Sequence, residues 1–168
     1  ISMAAKESGI DSEVFENVDE RATNSLLYSL SMGLYSYGNS FSAMGDLPVN
    51  DRLYILQHKI IKKLAEKGPC VIVGRCADYV LEDGYDCLKV FIHADMQARA
   101  KRIVEQYGEN TQSPERRLRD KDKRRAAYYN FYTDRKWGDL NNYDICLSTS
   151  ALGIEKCAEI IAEVYYAG

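Results

Sequence analysis

Apolar residues recur at helical spacing along much of this chain and gather into short runs at three places. Leu53, Leu56, Ile60, Ile61 and Leu64 predict a helix from about Asp51 that Gly68-Pro69 ends. The three runs are Cys70-Val71-Ile72-Val73, Leu88-Lys89-Val90-Phe91-Ile92 and the segment from Tyr143 to Leu147. The first lacks polar alternation and predicts a strand covered on both faces, as in a parallel sheet; the second is another such candidate, and the third marks a further strand. After the second run, Asp95 is placed to cap a helix whose Met96, Ala100, Ile103, Val104 and Tyr107 form an inward stripe. Another helix spans roughly Pro114 to Tyr132, and a last one carries Ile154, Cys157, Ala158, Ile161 and Val164 on one side. Upstream, Ser12 to Gly38 reads as mostly helical with an apolar stripe of Leu26, Leu27, Leu30 and Leu34, followed by a Gly/Ser/Asn/Pro loop to Pro48.

Strands alternating with helices of this length imply an α/β domain, a parallel sheet flanked by helices and joined by right-handed crossovers. Ligands of such sheets sit beyond the strand C-termini. The residues there are polar: Gly74 and Arg75 after the first run, His93 and Asp95 after the second, Ser148, Thr149 and Ser150 after the third. With 168 residues, 46 % apolar and 28 % charged, one domain over 1–168 is expected. No apolar stretch approaches the roughly 20 residues that cross a bilayer, and no leader pattern opens the chain, so a cytoplasmic protein without membrane contact is expected. Five cysteines without C-x-x-C spacing argue against a disulfide framework or a zinc site and for small buried hydrophobes. His58 and His93 lack metal-ligand partners at helical spacing, which favours structural roles.

Charge changes the picture most. The chain sums to -3, yet Arg116, Arg117, Arg119, Lys121, Lys123, Arg124 and Arg125 crowd into ten positions with only Asp120 and Asp122 between them. The run nets +5 and the remainder -8, which implies a local polyanionic partner or, more plainly, a solvated helix face. An acidic remainder repels a long polyanion and tolerates a small one, arguing against a nucleic-acid partner. Gly74-Arg75 adds a backbone that a ligand can approach and a rigid fork of donors suited to phosphate, though Arg75 could equally pair with Asp78 or Asp95. Thirteen tyrosines include Tyr35, Tyr37, Tyr128, Tyr129 and Tyr132 near these segments. Base stacking is open to them, but Tyr128 and Tyr132, at i and i+4 beside Phe131, suit stapling the basic helix to a core.

The order of these pieces resembles the cytidylate kinase-like family of nucleoside monophosphate kinases. The resemblance is carried by Gln57, by Gly74-Arg75-Cys76-Ala77-Asp78 after the first run, and by Leu88 to Ile92 with Arg99-Ala100-Lys101-Arg102. It continues in Asp122-Lys123-Arg124-Arg125-Ala126, similar to a D-x-x-R-A lid motif, and in Tyr128-Tyr129, Trp137-Gly138-Asp139 and Tyr143-Asp144. It implies a P-loop NTPase-like fold with a helical acceptor-binding region at about 12–50 and a helical lid at about 112–138. The implied activity moves the γ-phosphoryl of ATP, with Mg2+, to a nucleoside monophosphate, and the family leaves room for a homodimer. Arg75, with Gly74, Gln57 and Asp78, would bind the acceptor. Arg125, Arg119 and Asp122 would be catalytic, Asp122 orienting the acceptor ribose or a lid arginine, and Arg117, Lys121 and Arg124 would contact phosphates.

Three departures accompany the resemblance. The interval that leads back from Arg125 to a second lid arginine lands on Leu118, leaving Arg117 or Arg119 to serve. Cys76 stands where cytidylate kinases proper carry an acidic residue and Ser148 where an aspartate is usual, so the resemblance does not extend to the bases. Finally, these residues hold no G-x-x-x-x-G-K-[ST] loop, and Ile1 to Lys6 reads as the middle of a helix. About 30 upstream residues, a strand, loop and helix, are expected to complete the sheet. Without such a loop the alternatives are a catalytically degenerate kinase fold acting as a regulatory or interaction module, or a small nucleic-acid-binding protein.

Overall fold

The computed structural model describes residues 49–107 and 113–167. The helix expected over Ser12 to Gly38 and the loop to Pro48 lie outside the described residues, as do Tyr35 and Tyr37. Described residues fall into two compact units: 49–85 with Phe131–Thr133, and Asp86–Asn130 with 134–167.

The first unit is built on helix α1, Val49–Glu66, whose Leu53, Ile60 and Ile61 are buried as their spacing predicts. Gly68, at φ 132°, follows its last turn. A short helix α2, Ala77–Val80, packs on α1 and buries Ala77 and Val80. The last turn of the basic helix completes the unit. Tyr132 stacks on Tyr54 of α1 with centroids 4.0 Å apart and planes 7° from parallel, and its hydroxyl donates to Asp51 Oδ1 at 3.1 Å. Tyr132 is therefore a packing residue, the stapling role its i, i+4 position suggested.

Cys70-Val71-Ile72-Val73 does not form the expected strand. Val71 is 93 % and Val73 85 % exposed, and Cys70 is also exposed. A strand is defined by a neighbour that takes its backbone N–H and C=O groups. Among the described residues the sheet is two-stranded and this run is not in it.

In the second unit β1, Val90–His93, and β2, Ile145–Ser148, pair in parallel with Val90 opposite Ile145 and His93 opposite Ser148. Between them lie α3, Met96–Tyr107, and α4, Pro114–Thr133, followed by a 3-10 turn at Leu140–Asn142. Parallel strands require such a long crossover. Both strands start two residues later than the apolar runs because Lys89 and Asp144 lock the entrance. The Lys89 N–H donates to Asp144 Oδ2 at 2.7 Å while the Asp144 N–H donates to the Lys89 carbonyl at 2.8 Å. Trp137, Tyr143 and His93 surround the Phe91 ring, and a Cβ on Gly138 would come within 3.4 Å of that ring. Trp137-Gly138 and Tyr143-Asp144 thus serve architecture: they cover and pin the sheet.

Helices α5, Thr149–Leu152, and α6, Ile154–Ala167, close the unit. On α6 only Cys157 of the expected inward set is deeply buried; Ile154 and Val164 are each more than 40 % exposed. On α3, Ala100 is buried and Val104 is exposed. The cysteines divide likewise: Cys76 and Cys157 are buried, Cys87 and Cys146 half-buried and Cys70 exposed, all as free thiols. No helix among the described residues is long and apolar enough to cross a membrane.

Candidate functional site

Gly74, Arg75 and Cys76 turn the chain through three consecutive positive φ angles, 71°, 60° and 55°. Gly74 adopts this freely, but for an L-residue the left-handed region costs roughly 1–2 kcal/mol. The Ala77 N–H closes the turn on the Gly74 carbonyl at 3.1 Å, and the Cys76 carbonyl accepts from Tyr79 and Val80. Strain of this kind persists where surroundings over-determine it, and it concentrates at ligand clamps. Cys76 supplies the anchor: its side chain is buried, and burial, followed by Asp78, pushes its thiol up to about 12, with Arg75 opposing. Cys76 is thus a neutral buried plug.

The same turn faces α1. Burial, then the proximity of Cys76, Tyr79 and Asp78, raises the Tyr54 phenol to about 12. Gln57, one turn along α1, is buried, which is unusual for a glutamine and requires its amide to be satisfied. Gly74, Arg75, Asp78 and Gln57, the residues expected to bind an acceptor, all belong to this first unit. His58 is packed edge-on to Tyr54, and burial followed by Lys62 lowers its pKa, in keeping with a structural role.

In the second unit the basic run is helical throughout, with Pro114 at the N-terminus and Asp134 ending it at φ 55°. Arg116, Arg117, Arg119, Lys123 and Arg124 are exposed and Lys121 is half-buried, so most of the run is a solvated face. The exception follows helical geometry. Leu118, Asp122, Arg125 and Tyr129 lie on one ridge at steps of four, three and four, and both ends of that ridge, Leu118 and Tyr129, are buried. Leu118 is 6 % exposed and works as a packing residue.

Between those anchors Asp122 is gripped by Arg99 of α3. Arg99 Nη1 donates to Oδ2 at 2.6 Å and Nη2 to Oδ1 at 2.8 Å, a two-bond fork with side chains only 25 % and 21 % exposed. Arg125 Nη1 reaches the same Oδ1 at 3.4 Å, a looser contact from a side chain 46 % exposed. The hydrogen bonds to Asp122 raise the Arg99 pKa, against its burial. The sequence pattern alone assigns Arg99 no role. The available signal was a cation in the opening turns of a helix, where the macrodipole disfavours it unless a carboxylate holds it.

Beyond the ends of β1 and β2, two of the three expected loops meet; the third, Gly74-Arg75, belongs to the first unit. The Asp95 N–H donates to Ser150 Oγ at 2.8 Å, and Thr149 Oγ1 donates to the His93 carbonyl at 3.3 Å. Asp95 also caps α3, accepting from the Ala98 N–H at 2.8 Å. Among the described residues no group of three or more His, Cys, Asp or Glu side chains is arranged to hold a metal ion.

A family model described as the cytidylate kinase-like family matches residues 1–151. The chain belongs to that family. A cytidylate kinase from Methanopyrus kandleri is 27 % identical over 97 residues, which cover 53 % of this chain and 50 % of the relative. The chain thus spans about half the length of the curated relative it matches. A crystal structure of an uncharacterized protein from Eubacterium ventriosum superposes with a TM-score of 0.66 at 30 % identity, covering 83 % of this chain and 82 % of that one. The fold is a mixed, helix-rich α/β arrangement with a small parallel sheet.

Proposed function

We propose that this family member is a nucleoside monophosphate kinase-like phosphotransferase that moves the γ-phosphoryl of ATP to a nucleoside monophosphate. The observation that carries the reading is the Asp122–Arg125 pair. Its D-x-x-R-A spacing lies on a regular helix, the carboxylate is engaged on both oxygens by Arg99, and the guanidinium is half exposed. Little covalent work falls to the protein in phosphoryl transfer, where positioning and charge neutralisation dominate. Arg125 can do both for a phosphoryl group in flight, with Arg119 or Arg117 beside it and Lys121 and Arg124 adding phosphate contacts. Arg75, presented by its left-handed turn, would take the acceptor phosphate, with Gly74, Gln57 and Asp78 shaping the acceptor side. Mg2+ would enter on the ATP phosphates, which supply much of its oxygen shell.

In this reading residues 12–50 form the acceptor-binding region and 112–138 a lid that excludes water as a competing acceptor. Asp122 has both oxygens occupied by guanidinium groups, which favours orienting a lid arginine over binding a ribose. The test is ADP release by the full-length protein against a panel of ribo- and deoxyribonucleoside monophosphates. Turnover with at least one acceptor is expected; a uniformly negative panel favours the degenerate-module reading. Tight, steeply salt-dependent binding of an oligonucleotide without mononucleotide binding favours the nucleic-acid reading.

A further inference from the structure

We infer that Arg99 is a positioning residue for the basic helix: it occupies the Asp122 carboxylate so that this carboxylate tethers Arg125 without capturing it. The inference rests on the proposed role of Arg125 as a phosphate ligand and adds the device that keeps it available. A carboxylate within a cationic run sits where it can do harm. Arg119 lies three residues before Asp122 and Arg125 three residues after, both within reach on a helix. A half-buried Asp122 left unpaired would draw either guanidinium into a close ion pair and withdraw it from an incoming phosphate.

The geometry shows how this is avoided. Arg99 reaches over from α3 and donates one hydrogen bond to each oxygen at 2.6 and 2.8 Å, the short distances of charge-assisted bonds. Arg125 is left with a 3.4 Å contact on an oxygen already in use. Of the five N–H donors of a guanidinium, this contact engages one, so the group is aimed but not consumed. A lysine at 99 could neutralise Asp122 but could not fork across both oxygens.

The test is a double-mutant cycle read by calorimetric titration of inorganic tripolyphosphate into the full-length protein. Arg99→Ala is expected to weaken tripolyphosphate binding about five- to tenfold, the scale of one charge-assisted hydrogen bond. Adding Asp122→Asn removes the capturing charge, and the double variant should recover the affinity of Asp122→Asn alone. Arg99→Lys should fall between wild type and Arg99→Ala, and it serves if the alanine variant does not fold. Thermal unfolding of the same set separates a structural staple: a staple predicts that the double variant stays weak. The inference is overturned by unchanged affinity in Arg99→Ala, by a double variant as weak as Arg99→Ala, or by a wild-type protein that does not bind tripolyphosphate. The acceptor panel is run alongside; a negative panel removes the kinase reading while the tripolyphosphate cycle still decides the role of Arg99.

Discussion

Arg75 and Arg125 are positioned by opposite means. Arg75 is aimed by its backbone, held at φ 60° between Gly74 and a buried Cys76, and the cost is local strain. Arg125 sits on unstrained helix and is aimed by electrostatics, through a carboxylate that Arg99 holds. Backbone placement is insensitive to salt and fails when the turn changes. Electrostatic placement costs little conformational energy and depends on every charge in its chain of contacts. The two regions should therefore answer differently to substitution.

The largest expected difference is kinetic. Replacing Arg125 by alanine removes a group proposed to stabilise transferring charge, so turnover should fall on the order of 10³-fold. Its side chain is 46 % exposed and its contact loose, so stability should change by less than about 0.5 kcal/mol. Steady-state kinetics and a denaturant melt of the same preparation check both halves. Near-normal turnover would remove Arg125 from the mechanism.

Next in size is a stability effect on the same ridge. Leu118 occupies the position to which the interval back from Arg125 leads for a second arginine, but it is buried. Leu118→Arg should destabilise the protein by about 3 kcal/mol, because a charge is driven into packed surroundings without a partner. A variant with unchanged melting temperature and raised activity would show instead that the site accepts an arginine there.

Arg75→Gly tests the backbone mode. Relief of the left-handed conformation should stabilise the fold by about 0.5–1 kcal/mol after allowing for the greater freedom of glycine in the unfolded chain. The same change should weaken acceptor binding more than about tenfold, the value of a lost charge-assisted contact. A more stable, less active protein would be the signature of strain held for function. A destabilised one would mean that the side chain's own contacts outweigh the turn.

The two modes were unequally legible in the sequence. The basic helix was expected over roughly Pro114 to Tyr132 and spans Pro114–Thr133, because proline at its start and periodic anchors such as Leu118 and Tyr129 act locally. The parallel strands were legible as apolar runs, but their starts depend on the Lys89–Asp144 exchange, a contact 55 residues apart. Cys70 to Val73 carries the same local signal as those strands and still lacks a partner among the described residues, since pairing is not a property of the run itself. Gly74 announced a left-handed residue; Arg75 and Cys76 could not, because neither favours that region, and the burial of Cys76 is a tertiary property. Arg99 was hidden for a similar reason, its partner Asp122 lying 23 residues away on another helix.

The smallest expected effect separates electrostatic placement from simple capping. Asp95 joins the loops beyond the two strands and caps α3, and its carboxyl is held below its ordinary 3.8 first by the Ala98 N–H and then by Ser150. A carboxyl lowered in the folded state stabilises it above the unfolded pKa and loses that contribution as pH falls through the folded value. The wild-type melting temperature should therefore decline more steeply with acid below about pH 4 than that of Asp95→Asn. Asparagine caps a helix about as well, so the two proteins should melt within a degree or so of each other near neutrality. Parallel acid profiles would assign the acid sensitivity to other carboxylates. A large loss at neutral pH would instead show that the charge of Asp95, and not its cap geometry, holds the strand-end loops together.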